Sequence, residues 1–544
     1  MTSSAQPSPR ERRAGVLVPL FSMRSARGWG IGEYPDIADL AAWLPDAGQS
    51  ILQLLPLGET GTSETSPYGA LTAFGLDPSY LALEEVEEVA TAGVAATLGQ
   101  EAARELERVR FAPRVQWAAV RRLKRHALGV AYERFRDGPY RAGGARARDF
   151  ERFCSAERPW LEDHALFRAL RDEHHEVAWS DWPAPLRDRA PGALAAARAR
   201  LEDAVRYHEY VQWLCDTQLR AARVAVARHG VLLKGDLPFM VSGDSADVWG
   251  HREEFRCDVR LGAPPDQFSA DGQDWGLPVY DWDAMTARGL SWVRHRAARS
   301  AALYDLFRLD HVVGFYRQFI IPPGARGSLV PAEEGAQVRL GEQVLRTMQE
   351  AAAAEQGSAA RTLLTIVAED LGVVPPYVRR SLLSLGIPGT KVMRWEKQWE
   401  GPGAGAFLDP AAYPELSLCT TGTHDTTTLA AWYEEMDEAE RRALFALPAL
   451  RDFAAVAGPR FTPEAHGAIL GGVYGAASAL CVLPIQDLLG ARDRINIPST
   501  VGPDNWVYRL PLTVDEMRRD HGVRTQVERV RRLCERHGRS APRG

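Results

Sequence analysis

The sequence has little that would suit a disulfide-bonded or membrane-spanning protein. Its six cysteines are far apart in 544 residues and include no CxxC pair. This spacing argues against a disulfide framework and a zinc site, and it indicates reduced thiols. No stretch approaches the ~20 apolar residues that a membrane span needs. We therefore expect a protein of the reducing cytoplasm.

The sequence also lacks a surplus of positive charge and an apolar N-terminal segment. The net charge is -6 and the isoelectric point is about 6.2, which argues against nucleic acid as the partner. Residues 1–13 are polar and basic and do not contain the apolar core of a signal peptide. We expect residues 1–14 to be a flexible N-terminus and residues 15–544 to be one domain, because no repeat or low-complexity linker divides them.

Apolar runs that end in turns or polar residues predict eight β-strands. The first two, 15–20 and 51–57, enclose a helix that begins at Pro35, so the chain starts as a β-α-β unit. The other predicted strands are 231–238, 306–310, 363–372, 391–395, 418–425 and 479–487. Eight strands separated by helical sequence predict an α/β protein, a (β/α)8 TIM barrel. The prediction depends on the short sixth strand, and a doubly wound open sheet is the alternative.

Two long segments interrupt this pattern. Residues 84–228 are rich in Ala, Arg, Glu and Leu, and we interpret them as a helical subdomain inserted between the second and third strands. Residues 239–283 are predicted to be a long loop, and ordered loops of that length are usually functional. Tryptophans in Gly- and Pro-rich loops suit the apolar faces of sugar rings, with core packing as the alternative. These are Trp29, Trp249, Trp275, Trp395 and Trp506.

Three predicted strands end in acidic residues, namely Asp310, Glu369 and Asp425. The carboxyl ends of barrel strands carry the active site, so these side chains are expected to converge. Glycosidic cleavage needs one acid to protonate the leaving oxygen and one carboxylate to meet the anomeric carbon. A structural Asp–Arg ion pair at a strand end is the alternative for Asp310 taken alone.

A divalent metal site is another use for these carboxylates, with His311 and His424 as further ligands. Arg308 argues against it. This arginine lies two residues before Asp310 and therefore on the same side of the strand. Its charge repels a metal ion and lowers the pKa of a neighbouring carboxyl, which suits an ionised nucleophile.

Eight sequence motifs and three shorter ones surround these acids. They are SPYG (66–69), GDLP (235–238), DSADVW (244–249), GAPPDQFSADGQDWGLPVY (262–280), FRLDH (307–311), AEDLG (368–372), LGIPGTKV (385–392) and TGTHD (421–425), followed by PIQD, RIN and NW. In content and order they resemble the motifs of the amylomaltases. These enzymes, also called 4-α-glucanotransferases or disproportionating enzymes, form glycoside hydrolase family 77 of the α-amylase clan. The resemblance covers nearly the whole chain.

The resemblance implies a retaining double displacement on α-1,4-glucans without a cofactor or metal. It makes Asp310 the nucleophile, Glu369 the general acid/base and Asp425 the transition-state stabiliser. Retention requires the first two carboxyls to be only about 5–5.5 Å apart. Glu369 must begin protonated, so we expect burial and the neighbouring acids to raise its pKa. Asp370 is the alternative acid, since strand alternation directs only one of the two into the barrel.

The resemblance also supplies candidate contacts with substrate. Arg308 and His424 are expected to hold hydroxyls of the reacting sugar and to keep the two aspartates charged. The loop at 262–276 resembles the family's lid over the donor and acceptor sites, which would exclude water and favour transfer. The further candidates are Tyr68, Asp266, Phe268, Gln273, Trp275, His311, Trp395 and Asn505.

Two segments depart from the family pattern. Residues 426–428 are Thr-Thr-Thr where Asn-Asp-Thr is more usual, and residues 393–396 are Met-Arg-Trp-Glu where many members have a run with Gln and Phe. Both are expected near the sugar, so they bear on acceptor preference and donor length.

The sequence therefore predicts a cytoplasmic 4-α-glucanotransferase. Its partners would be maltooligosaccharides and α-1,4-glucans, as donor and acceptor, and glucose. The transferred glucan segment would go to the 4-hydroxyl of the acceptor. A hydrolase of the same clan is the nearest alternative. A catalytically inactive glucan-binding protein and a carboxylate-metal barrel enzyme are the others.

Overall fold

The computed structural model describes residues 11–265, 272–357, 364–399, 401, 404–498 and 500–540. Within these residues the chain forms twelve β-strands. They are β1 Arg13–Leu17, β2 Ile51–Gln53, β3 Leu232–Leu237, β4 Phe255–Ala263, β5 Gln273–Tyr280, β6 Leu306–Leu309, β7 Gln318–Ile321, β8 Ser328–Val330, β9 Ile366–Ala368, β10 Gly389–Val392, β11 Ser417–Thr420 and β12 Leu480–Pro484. β1 begins inside the segment predicted to be flexible, and residues 1–10 of that segment lie outside the described residues.

Eight of these strands form one parallel sheet in the order β10-β11-β12-β1-β2-β3-β6-β9. The two end strands approach each other, because the Ala368 amide donates to the Pro388 carbonyl at 2.8 Å and the Thr390 hydroxyl donates to the Ala368 carbonyl at 2.8 Å. The sheet is thereby nearly closed into a barrel with helices around it. This confirms the predicted (β/α)8 architecture, including the sixth strand, which is β10.

The predicted strands were longer than the observed ones. The last strand ends at Pro484, and residues 485–487 belong to a helix instead of the predicted strand. Asp425 does not terminate its strand, since β11 ends at Thr420 and a turn carries the chain on to Asp425. In both places the polar residue that we assigned to a strand end lies in the segment that follows it.

A second sheet, which the sequence analysis missed, joins β5-β4-β7-β8 in antiparallel order. The prediction that residues 239–283 form a loop was therefore wrong. In β4 the buried residues Val259 and Leu261 flank the exposed Arg260, and Phe255 is buried at the start of the strand, as suits an antiparallel sheet with one wet face. Prolines and glycines next to this alternation gave the segment the composition of a loop.

The α-helices lie outside the barrel, and the described residues contain 21 of them. They are α1 Asp36–Trp43, α2 Glu87–Ala90, α3 Val94–Leu98, α4 Gln100–Arg110, α5 Trp117–Phe135, α6 Ala145–Ala156, α7 Arg158–Glu173, α8 Ala184–Arg187, α9 Pro191–Arg200, α10 Glu202–Ala227, α11 Ala246–Gly250, α12 Trp282–Ala287, α13 Ser291–Leu303, α14 Glu334–Gln356, α15 Pro376–Leu385, α16 Leu429–Glu435, α17 Glu438–Phe445, α18 Pro463–Tyr474, α19 Ile485–Leu489, α20 Val514–Arg519 and α21 His521–Arg536. Helices α2 to α10 separate β2 from β3, where the helical insertion was predicted. Among the described residues, no helix combines the length and apolarity that crossing a membrane requires.

Two of the loop tryptophans belong to the core. Trp29 and Trp249 are fully buried. Trp249 lies against Trp182 and Phe167, with ring centroids 5.6 and 5.9 Å apart. For these two residues the alternative interpretation, core packing, is the observed one.

Arg539 joins the C-terminal part of the chain to the first and last strands of the sequence. Its side chain is fully buried. It donates hydrogen bonds to the carbonyls of Tyr474, Ala476, Ser478, Ala479 and Arg13, at 2.7, 2.7, 2.7, 3.1 and 3.3 Å. These acceptors compensate the cost of removing a guanidinium from water.

A second buried cation, Lys234 of β3, is poorly compensated. Its side chain is 1% exposed, and the ammonium donates one hydrogen bond, to the Gln53 side-chain oxygen at 2.8 Å. An ammonium has three donors, so two of them have no partner among the described residues. Burial lowers the pKa of Lys234 to about 7, against an opposing effect of Asp236. The barrel interior therefore contains a cation that its surroundings destabilise.

We expect Lys234→Met to stabilise the protein by roughly 1–4 kcal/mol below pH 7, the range found when buried ionic groups are replaced by apolar ones. The folded state holds this proton less tightly than the unfolded chain, so the wild type gains stability as pH rises from about 7 to ~10.4. The advantage of the variant should therefore shrink over that window. Thermal unfolding of both proteins at about pH 6 and about pH 9.5 measures this.

Arg442→Met is the control, because Arg442 pairs with Glu438 on an exposed helix surface and such pairs contribute little. A Lys234→Met protein that is less stable than wild type at both pH values would contradict the interpretation of Lys234 as a destabilised cation.

Candidate active site

The carboxyl ends of β3 and β6 are joined by one arginine. Arg308 donates two hydrogen bonds of 2.8 Å to both oxygens of Asp236 and one of 2.7 Å to Asp310. Tyr68 donates to Asp236 at 2.9 Å and accepts from Arg308 at 3.3 Å. Burial opposes the charge of Arg308, but Asp236 and Asp310 raise its pKa well above the usual value. Asp310 is thus held beside a permanent cation, as expected for an ionised carboxylate.

Glu369 follows β9, the neighbour of β6, so it lies beside Asp310 at the end of the sheet. Its two oxygens accept hydrogen bonds from the backbone amides of His311 and Leu371, at 2.7 and 3.0 Å. Burial raises the pKa of Glu369 to about 7; Arg308 opposes this rise and Asp310 adds to it. The site therefore contains one carboxyl held beside a cation and one whose proton is retained up to neutral pH.

Asp370 has a different environment from that of Glu369. It accepts a hydrogen bond of 2.6 Å from the Thr390 amide and one of 3.2 Å from Arg379. A Cβ atom at Gly389 would lie 2.7 Å from an oxygen of Asp370, so glycine at this position leaves room for the carboxylate. Asp370 therefore attaches the end of β9 to β10, while Glu369 faces Arg308 and Asp310.

His311 lies between Asp310 and Glu369 and has a strained backbone conformation. Its φ of 43° lies in the left-handed region, which is uncommon for residues other than glycine. This conformation accompanies the amide hydrogen bond to Glu369. The imidazole packs edge-on against Trp275, with ring centroids 5.0 Å apart. Trp275 in turn donates to the Gln273 side-chain oxygen at 3.0 Å, so the β4–β5 hairpin reaches the site.

Asp425 is held from the opposite side by the segment after β12. Asn496 donates to Asp425 Oδ1 at 2.6 Å, and His424 Nε2 lies 3.3 Å from Oδ2. Arg494 donates to the Asp425 carbonyl at 2.7 Å. Burial opposes ionisation here, but His424, Asn496 and Arg308 keep the pKa of Asp425 well below its usual value.

An aromatic wall connects the two halves of the site. The rings of Tyr68 and His424 are stacked at 5.1 Å, and Trp506 lies 6.1 and 5.9 Å from them. Flat rings with polar edges suit a sugar that presents an apolar face. Tyr68 thus connects Asp236 with His424.

The structure brings most of the predicted site residues together. Pairwise contacts join the following residues into one connected group: Tyr68, Arg308, Asp310, His311, Glu369, His424, Asp425, Gln273 and Trp275. Trp395 lies apart, 42% exposed in the turn after β10. Asn505 accepts from the Ile497 amide at 3.0 Å and donates to the Thr500 carbonyl at 2.9 Å, so its amide supports its own loop. Asp266 and Phe268 lie outside the described residues.

Two residues that position the site were not singled out from the sequence. Asp236 is the penultimate residue of β3, within the GDLP motif, and accepts two hydrogen bonds from Arg308. Asn496 ends the RIN motif and holds Asp425. The acidic strand end was a usable signal for Asp236, whereas nothing local to RIN indicates that it approaches Asp425.

The two departures from the family pattern lie side by side. Arg394 donates to the Thr427 hydroxyl at 3.1 Å and to the Thr421 carbonyl at 3.0 Å. Its guanidinium also lies over the Trp432 ring at 5.0 Å. The unusual residues in one segment are therefore partners of those in the other.

The described residues contain no group of three or more His, Cys, Asp or Glu side chains arranged to hold a metal ion. The three carboxylates instead have arginine, amide and imidazole partners. This arrangement can keep two carboxylates charged next to one carboxylic acid.

Comparison with known proteins finds relatives over nearly the whole chain. The 4-alpha-glucanotransferase of Chlamydia pneumoniae is 31% identical over 515 residues, 92% of each chain. That of Thermus thermophilus is 33% identical over 532 residues, 95% of this chain and 98% of the relative.

Solved structures share the fold. The amylomaltase from Streptococcus agalactiae in complex with acarbose matches with a TM-score of 0.80 at 24% identity, over 97% of this chain and all of that one. The amylomaltase from Corynebacterium glutamicum matches with a TM-score of 0.74 at 22% identity, over 96% and 75% of the two chains. The family described as 4-alpha-glucanotransferase, glycoside hydrolase family 77, matches residues 18–513. The chain belongs to this family.

Proposed function

We propose that the protein transfers a segment of an α-1,4-glucan to the 4-hydroxyl of an acceptor glucose or glucan, with retention at the anomeric carbon. The observation that carries this proposal is the pairing of Asp310 with Glu369 on adjacent strands. Asp310 accepts a hydrogen bond from Arg308, and burial raises the pKa of Glu369 to about 7. Backbones of neighbouring strands lie about 4.8 Å apart, which suits the close carboxyl pair of a retaining enzyme.

In the first half-reaction Asp310 attacks the anomeric carbon, and Glu369 gives its proton to the leaving oxygen. The departing glucan leaves a covalent glycosyl ester on Asp310. Asp425, with its pKa held low, faces the developing positive charge of the oxocarbenium-like transition state. Arg308 and His424 are the proposed contacts of the reacting sugar's hydroxyls.

In the second half-reaction Glu369, now ionised, takes the proton of the attacking hydroxyl. A sugar 4-hydroxyl gives transfer, while water gives hydrolysis. We propose that residues 239–283 act as the lid that favours the sugar, since Trp275 of this segment contacts His311 beside the acids. Excluding water from a closed site lowers the competing hydrolysis.

The helical segment is proposed to be an insertion in a single catalytic barrel, because both of its ends connect to neighbouring barrel strands. We also propose a cytoplasmic location. All six cysteines are unpaired thiols in the structure, as suits a reducing compartment.

We expect Asp310→Asn to lower kcat by about 10⁴-fold or more, because an amide cannot form the glycosyl ester. Release of glucose from maltotriose measures the rate. The thermal midpoint reports whether the fold survives, and Asp452→Asn, at an exposed position, is the charge-matched control. A near wild-type rate for Asp310→Asn would place the nucleophile elsewhere.

We expect Glu369→Gln to slow transfer from maltotriose by roughly 10²–10⁴-fold. An α-maltosyl fluoride donor should restore the first half-reaction, because fluoride leaves without a proton. The wild-type kcat/KM should fall as pH rises through about 7, where Glu369 loses its proton, and this decline should be absent in the variant.

Asp370→Asn is the matched control for that experiment. It should lower the thermal midpoint, because its bonds to Thr390 and Arg379 are weaker. The rate of the folded protein should remain close to that of wild type. A large loss of rate in Asp370→Asn, together with an unchanged rate in Glu369→Gln, would move the acid/base role to Asp370.

Maltotriose alone should yield glucose together with a ladder of longer maltooligosaccharides. The physical reason is that an acceptor sugar, and not water, resolves the glycosyl-enzyme. Size-resolved product analysis over time measures this. Glucose and maltose alone would identify a hydrolase, and an unchanged substrate would favour a glucan-binding protein.

A further inference from the structure

The turn that carries Asp425 lies between a strand and a helix. Thr420 ends β11, and Leu429 begins α16. Inside the turn, the Asp425 amide donates to the Thr423 hydroxyl at 3.2 Å. Such a local bond fixes the shape of the turn but not its direction relative to the barrel. Contacts from outside the turn therefore determine where the Asp425 carboxylate points, and the bond from Asn496 is one of them.

Asp487 of α19 holds both ends of this segment. Its side chain is buried. It accepts a hydrogen bond of 2.5 Å from the Thr421 hydroxyl and one of 2.6 Å from the Leu429 amide. The segment is thereby attached at both ends to the helix that follows β12.

Arg394 holds the same segment from the end of β10. Its guanidinium donates to the Thr421 carbonyl at 3.0 Å and to the Thr427 hydroxyl at 3.1 Å. These two acceptors lie on either side of Asp425 in the sequence. A Cβ atom at Gly422 would lie 2.9 Å from Nη2 of Arg394, so glycine at this position allows the guanidinium to approach the backbone.

The place of Arg394 is unfavourable for a cation. The residue is 7% exposed, and within the described part of the chain it forms no ion pair. Burial lowers the pKa of Arg394 to about 10, although the charge of Asp487 opposes this effect. Removing a guanidinium from water without a bonded carboxylate costs stability. The two directed hydrogen bonds, and not stability, therefore account for an arginine here.

We propose that Arg394 is a positioning residue for Asp425, because it joins Thr421 to Thr427 and so fixes the direction of the turn between them. This role rests on the proposed function, in which Asp425 faces the oxocarbenium-like transition state. Among the described residues, Arg394 forms no hydrogen bond with any of the three catalytic acids. Its effect therefore passes through the backbone of the turn. The segments 393–396 and 426–428, which both depart from the family pattern, share this role.

A misdirected Asp425 should lower kcat and leave KM for maltotriose nearly unchanged, because this carboxylate acts on the transition state. We expect Arg394→Met to lower kcat by about 10- to 100-fold, since a displacement of ~1 Å can cost about 10² in rate. Arg394→Lys keeps the charge but replaces the planar fork by a point charge, so it should recover only part of the loss. Initial rates of glucose release from maltotriose measure both constants.

Thr427→Val removes one acceptor and leaves the arginine in place, so the test does not depend on the folding of an Arg394 variant. It should also lower kcat, by less than Arg394→Met does. The double variant should lose no more than Arg394→Met alone, because both changes remove the same hydrogen bond and residues in contact are not additive. Additive losses would contradict the proposed coupling.

Arg441→Met is the matched control for burial and charge. Arg441 is 8% exposed, and its one hydrogen bond among the described residues is to the Met436 carbonyl. This variant should lower the thermal midpoint and keep the wild-type kcat. Hydrogen–deuterium exchange of residues 421–429 gives a measurement without turnover. It should be faster than in wild type for Arg394→Met and Thr427→Val, and unchanged for Arg441→Met.

Three kinetic outcomes would overturn the proposal. They are a folded Arg394→Met protein with the wild-type kcat, a rise in KM in place of the fall in kcat, and an equal loss of kcat in Arg441→Met. Unchanged exchange at residues 421–429 in Arg394→Met would overturn it whether or not transfer is observed. A wild type that forms no products from maltotriose would instead contradict the proposed function, which distinguishes the two failures.

Discussion

The sharing of Arg308 between Asp236 and Asp310 is the interaction on which the site depends. A guanidinium has donors enough for both carboxylates, and here it gives two to Asp236 and one to Asp310. The bonds to Asp236 fix the plane of the Arg308 guanidinium, so its Nη2 donor points at Asp310 before substrate binds. Arg308 also opposes the rise in the pKa of Glu369, so this pKa is about 7 and not higher. One side chain thus bonds to Asp310 and limits the pKa of Glu369, the two carboxyls of the proposed reaction.

Barrel geometry explains why this arrangement is possible. Asp236, Asp310 and Glu369 come at the ends of three strands that are neighbours in the sheet, so their separations follow from strand spacing and register. Asp425 is different, because a turn carries it beyond its strand and Asn496 must hold it from outside.

The sequence allowed the barrel and the positions of Asp310 and Glu369 directly after their strands to be predicted because these signals are local. An apolar run followed by Asp310 or Glu369 indicates both the strand and the polar residue at its end. The strand β10 was recognisable although it has only four residues. The β4–β5 hairpin was missed because prolines and glycines in and beside its strands give the segment the composition of a loop. The partnership of Asn496 with Asp425, 71 residues apart in sequence, leaves no local pattern. The same holds for Arg394 and Thr427, whose unusual identities only make sense as a pair.

Arg539 bears on when the barrel can close during synthesis of the chain. This residue lies 526 positions after Arg13, yet its guanidinium binds the carbonyl at the start of β1 and four carbonyls around the start of β12. During synthesis the N-terminal strand must therefore wait, with its far edge unpaired, until almost the whole chain has left the ribosome. An exposed parallel edge of this kind invites pairing with other chains. Production of the intact protein should consequently be most sensitive to crowding and chaperone supply late in translation, when seven strands have formed and the eighth has not yet arrived.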